Sequence, residues 1–96
     1  MPTTYRITGK IWKYPGFGGW HFVTIRKKTS RDMRDFMKGQ TRGFGSIRVE
    51  ARVGKSRWKT SVFPTKEGTY LLPVKSTVRE KEGLEEGDLV KAELSL

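Results

Sequence analysis

The sequence contains no cysteine and a single histidine, His21. The first absence excludes disulfide frameworks, thiolate zinc sites and cysteine nucleophiles, and the second excludes two-histidine metal sites and histidine proton relays. Long apolar runs are missing too: none exceeds three or four residues, so no segment is suited to span a bilayer, and no basic-then-apolar leader opens the chain. A soluble, cytoplasmic protein with no membrane association is the expectation. The 96 residues leave room for one domain, residues 1–96, because a chain this short buries only about three-fifths of its unfolded surface. Hydrophobic residues make up 34%, with three Trp, three Tyr and five Phe among them. That supports a small core of large side chains rather than a spacious buried active site.

Acidic residues are scarce as well. Twenty Lys and Arg against ten Asp and Glu give a formal charge of +10. From Met1 to Lys66 there are 16 basic and 3 acidic residues, net +13, whereas Glu67 to Leu96 carries 4 basic and 7 acidic, net −3. A basic body of this kind attracts polyanions, nucleic acid foremost, because each phosphate neutralised by Lys or Arg releases condensed counterions.

Alternation and turn residues mark six extended segments. The first runs over Thr4–Lys13 and ends at the Pro15–Gly19 loop; the second covers Trp20–Arg26. Thr29 or Ser30 then has the character of a helix N-cap, with Met33, Phe36 and Met37 on an apolar face and Gly39 as a stop. The strongest local signal is a hairpin. Ile47, Val49, Ala51 and Val53 alternate with polar residues, Gly54-Lys55 makes a two-residue turn, and Trp58, Thr60 and Val62 alternate on the return. In that register Arg52 faces Arg57, Glu50 faces Lys59 and Arg48 faces Ser61 on the outer side. An opposed arginine pair is disfavoured by a few tenths to about 1 kcal/mol, so a visiting anion would relieve it. Tyr70–Val74 reads as a buried strand, Ser76 or Thr77 as the cap of a single helical turn ended by Gly83, and the segment after Asp88 as a last strand with Val90, Ala92, Leu94 and Leu96 inward.

A faint internal repeat links the two halves. Shifted by 48 positions, Phe22-Val23 falls on Tyr70-Leu71, Lys27 on Lys75 and Arg31 on Arg79; shifted by 43, Ile47–Glu50 falls on Val90–Glu93. Two halves of strand, capped helical turn and strand would interlock into a small closed six-stranded β-barrel, which removes most exposed sheet edges.

Several stretches resemble a known family when taken together: Trp12-Lys13-Tyr14-Pro15, Gly19–Val23, Gly43–Val49, Trp58–Ser61 with Phe63-Pro64, Tyr70–Lys75, Val78-Arg79 and Gly83–Asp88. They are similar to the prokaryotic DUF1905 domain family over nearly the whole chain. The resemblance implies a mainly β, double-split barrel like the looped-hinge barrels of AbrB-like and MazE-like DNA-binding proteins, with both halves in one chain. No biochemical activity is established for that family, so the resemblance carries no catalytic residue. The sequence departs from the expected pattern at Arg26, where a proline like Pro73 would stand.

No catalytic constellation emerges from the residues themselves. The Pro15–Gly19 glycines lack the spacing of a phosphate-binding fingerprint and read as a long hairpin turn. His21, between Trp20 and Phe22, reads as a surface or structural histidine, and no carboxylate pair has the arrangement of a glycosidase dyad. A non-catalytic protein with no cofactor and no metal is expected. The candidate nucleic-acid contacts are Arg31 and Arg34 on the helix, Arg42, and Arg48, Arg52, Arg57 and Lys59 on the hairpin. Trp12, Tyr14, Phe17, Trp20 and Phe44 lie in or beside loops, where exposed rings can stack on bases. Core packing competes for these rings, and Trp58 with at least one of Trp12 and Trp20 is expected inside. DNA or RNA is the first partner class. An acidic protein docked on the aromatic loops, or a small ligand at the barrel mouth, is the alternative.

Overall fold

The computed structural model describes residues 3–40 and 45–96. Apolar side chains at every second position drive the chain into strands β1 (Thr4–Lys13), β2 (His21–Ile25), β3 (Ile47–Val53), β4 (Ser56–Pro64), β5 (Tyr70–Pro73) and β6 (Leu89–Ser95). A short 3-10 turn, Phe17–Gly19, lies between β1 and β2; helix α1 (Lys27–Phe36) follows β2 and helix α2 (Ser76–Glu82) follows β5. The strands close into one barrel in the order β1-β2-β5-β4-β3-β6, with antiparallel neighbours throughout. Closure leaves no free sheet edge. Inside, Ile11, Val23, Ile25, Ile47, Val62, Leu72, Val90 and Leu94 are each at most 1% exposed, and a side chain of this size contributes about 1.5–3 kcal/mol when fully buried.

Exchanging β1, β2 and β3 with β4, β5 and β6 leaves this ring order unchanged. The internal repeat thus has a structural counterpart: two three-strand halves, each with one helix, interlocked into a single barrel. Because β2 and β5 are antiparallel neighbours, the helices that follow them leave from opposite ends. The family expectation of a small mainly β barrel holds.

The hairpin register is the one read from alternation, with Val53 opposite Ser56, Ala51 opposite Trp58 and Arg52 opposite Arg57. The arginine pair is relieved from within the barrel. β6 lies on the other side of β3 with Glu93 as the register partner of Arg52, and the Glu93 carboxylate is 3.0 Å from the Arg52 guanidinium and 3.6 Å from that of Arg6.

The helices differ from expectation. α1 begins three residues or more before the expected cap: Arg26 takes the N-cap position with an extended backbone, its carbonyl accepting the Ser30 amide. Ser30 instead lies inside the helix, fully buried, where its hydroxyl donates to the Ile25 carbonyl (2.9 Å) and accepts the Tyr70 amide (3.0 Å). A core contact overrides local capping preference. Of the expected apolar face, Met33 is buried and Met37 packs on the core, but Phe36 is 48% exposed. α2 runs for seven residues rather than one turn and ends as expected at Gly83, whose φ of 64° is the left-handed conformation glycine tolerates best. No helix among the described residues is long and apolar enough to cross a membrane.

Candidate functional site

The β1–β2 hairpin builds one wall of the site. Its neck is closed by the Tyr14 amide donating to the Trp20 carbonyl at 2.8 Å. At its tip Gly18 has φ of 90°, and a Cβ at this position would meet the Trp20 indole at 3.1 Å. Glycine therefore lets the Trp20 ring lie flat against the turn. That ring is 53% exposed and stacks on Phe22 at 5.9 Å with only 7° between planes.

Strand parity explains why Phe22 is available: Ile11 and Val23 point inward, so Trp12 and Phe22, the register partners beside them, point outward. Trp12 packs tilted on Phe22 at 5.3 Å and its indole N–H donates to Thr24 at 2.9 Å, while Tyr14 meets Phe22 edge-on at 6.4 Å. Leu71 and Phe63, partners across β5 and β4, extend the row. Together with Trp20 these side chains line a shallow apolar groove of about 390 Å³ that crosses four adjacent strands.

Trp20 also borders a second, chemically opposite depression. A cleft of about 410 Å³ opens between the hairpin tip, β4 and α2, lined by His21, Lys59, Lys75, Ser76 and Arg79 around the walls of Trp20 and Trp58. Every ionisable side chain lining it is Lys, Arg or His. Two of them are held in place. The His21 Nδ1 lies 2.7 Å from the Gly19 carbonyl, which leaves Nε2 for a ligand. The Arg79 Nε donates to the Val74 carbonyl at 3.1 Å, which leaves both terminal nitrogens of the fork. Ser76 opens α2 without capping it through its side chain.

The expected contact residues separate into groups. Arg31 and Arg34 are on α1, and Arg34 is engaged: it donates to the Gly68 carbonyl at 3.1 Å and lies 5.7 Å from the centre of the Tyr70 ring. Arg48, Arg52, Arg57 and Lys59 project from the outer hairpin face. Arg52 is paired with Glu93, and Lys59 shares a small groove with Arg48 as well as the cationic cleft. Among the described residues, Arg6 and Arg52 alone form an ion pair with a carboxylate. Arg42 and Phe44 lie outside the described residues.

Of the aromatic candidates, Trp12, Tyr14 and Trp20 come together in the groove, whereas Phe17 stands fully exposed at the hairpin tip. The expectation of a second buried tryptophan is corrected: Trp58 is 6% exposed, but Trp12 is half-buried and Trp20 exposed. Parity puts Trp12 outside the barrel, and Trp20 precedes β2 rather than belonging to it. Sequence reasoning missed Phe22, Phe63 and Leu71, which strand parity could have supplied, and Lys75 and Arg79, whose i, i+4 spacing marks one helix face. Among the described residues no three His, Asp or Glu side chains gather as a metal site requires.

The architecture is a small closed barrel with an aromatic groove beside a cationic cleft. The chain belongs to the family described as Domain of unknown function (DUF1905), whose model matches residues 8–94. No curated protein matches the chain at significant similarity.

Proposed function

We propose that the protein is a non-catalytic nucleic-acid-binding module, with its interface where the aromatic groove meets the cationic cleft at Trp20. The observation that carries this reading is the juxtaposition itself: a ring exposed on one side of a hairpin tip separates stacking surfaces from a carboxylate-free cluster of cations. Single-stranded nucleic acid is bound by that combination, with bases on aromatic faces and the backbone tracked by Lys and Arg. Lys59 and Arg48 line a further groove on the β3–β4 wall, which they share with Glu50, the register partner of Lys59. Contacts of this kind discriminate weakly between sequences, since phosphate carries no base information. Titration of labelled single-stranded DNA, single-stranded RNA and duplex DNA at two salt concentrations tests the reading. Micromolar binding that weakens steeply with salt is the expected result; absence of binding at low salt ends it.

Protein docking is the second reading, favoured by the apolar character of the groove lined by Trp12, Tyr14, Phe22, Phe63 and Leu71. Recovery of one defined protein from nuclease-treated lysate, lost on Phe63→Ser, distinguishes it from the first.

A further inference from the structure

The cationic cleft is built for more negative charge than the interior of a nucleic-acid strand supplies at one point. We propose that it seats a terminal phosphomonoester, so that the protein recognises phosphorylated strand ends in preference to strand interiors. This inference rests on the nucleic-acid reading and specifies its ligand.

An internal phosphodiester carries one negative charge, whereas a phosphomonoester carries about 1.5–2 at neutral pH and offers three strong acceptor oxygens. The cleft brings together Lys59, Lys75, Arg79 and the His21 imidazole with no carboxylate among its lining residues. One donor is preorganised, the Arg79 fork fixed through Nε by the Val74 carbonyl; the His21 ring is oriented through Nδ1 by the Gly19 carbonyl, and its Nε2 donates to a phosphate only in the doubly protonated imidazolium. A guanidinium held in this way presents two parallel N–H donors, the geometry of bidentate phosphate recognition. The volume of about 410 Å³ falls in the range of small-ligand sites, roughly 300–1,000 Å³. Trp20 forms the rim shared with the aromatic groove, so the base next to a seated phosphate has a stacking surface at hand.

Three short oligothymidylates test the proposal: one with a 5′-phosphate, one with a 3′-phosphate and one with hydroxyl at both ends, each compared by fluorescence anisotropy at fixed salt. At least one phosphorylated form is expected to bind about tenfold more tightly than the hydroxyl form, the scale of one charge-assisted bidentate contact. Arg79→Gln should erase that advantage, weakening the phosphorylated oligomer about tenfold more than it weakens the hydroxyl form. Lys75→Gln, at an exposed side chain, should reduce the advantage severalfold and keeps the test valid if Arg79→Gln fails to fold. Equal binding of all three oligomers overturns strand-end recognition while leaving the polyanion reading in place, as does an advantage that survives both substitutions. If no oligomer binds but adenosine 5′-monophosphate shifts the His21 ring signals in NMR, the phosphomonoester site stands and the nucleic-acid reading falls.

Discussion

The two ends of the barrel are topological equivalents, each beside the helix that follows the second strand of its half, yet their side chains are engaged differently. At the α1 end, Met33 is fully buried, the Ser30 hydroxyl ties helix to strands, and Arg34 is committed to the Gly68 carbonyl and the Tyr70 face. At the α2 end, Val78 is the one buried helical side chain, and Arg79 uses Nε alone, leaving its fork and Lys75 facing a cleft. Both helices bury an apolar side chain on the barrel, and α2 is further tied to β4 by the Ser56 hydroxyl donating to Glu82 at 2.7 Å; the difference lies in the cations left bordering a cleft beside α2.

The sharpest way to break this comparison is Met33→Ala, which should destabilise the protein by about 2–5 kcal/mol through lost burial and a cavity; chemical denaturation measures it. Lys75→Gln at the other end should leave the midpoint unchanged, and a comparable loss there would show that Lys75 is held in packing rather than left to the cleft. Ser30→Ala comes next. It strands the Tyr70 amide and should cost about 1–3 kcal/mol without weakening nucleic-acid binding. Trp20→Ala reverses that pattern: stability holds, while affinity for single strands falls by the equivalent of about 1–3 kcal/mol for one lost base stack. Phe36→Ala, exposed at the α1 end, is its control and should leave affinity intact.

The smallest effect lies at Tyr5, whose hydroxyl donates to the Asp32 carbonyl on α1. Burial, and secondarily the Asp32 charge, raise its phenol pKa above 10.0. The neutral phenol is therefore favoured by the fold, and its contribution is fully present below about pH 10 and fades as pH climbs through the raised value. Tyr5→Phe should flatten the alkaline limb of the stability profile; an unchanged limb would mean that Tyr5 does not couple α1 to the barrel.

Much of the barrel is legible in the sequence. The Ile47–Val62 alternation and the Gly54-Lys55 turn specify the hairpin pairing residue by residue, because a one-residue slip would turn every apolar side chain to solvent. Segments lacking such periodicity were less legible. The start of α1 was misplaced because Ser30 has the chemistry of a cap, and only the proximity of Tyr70, forty residues on, gives its hydroxyl a better partner. The opposed Arg52–Arg57 pair suggested an anion, but Glu93 supplies one from a strand distant in sequence. The aromatic row was only half visible: Trp12, Tyr14 and Trp20 were evident from their loops, whereas Phe63 and Leu71 join them by pairing across β4 and β5.

The sequence by itself determined a basic chain of alternating strands, because side-chain parity and turn chemistry act over a few residues. Ring order and the gathering of His21, Lys59, Lys75 and Arg79 around one cleft were decided by tertiary structure. Those residues span more than fifty positions, and nothing local brings them together; closure of the barrel does, because burying both halves of the repeat in one core leaves a single way for the hairpin tip to meet α2.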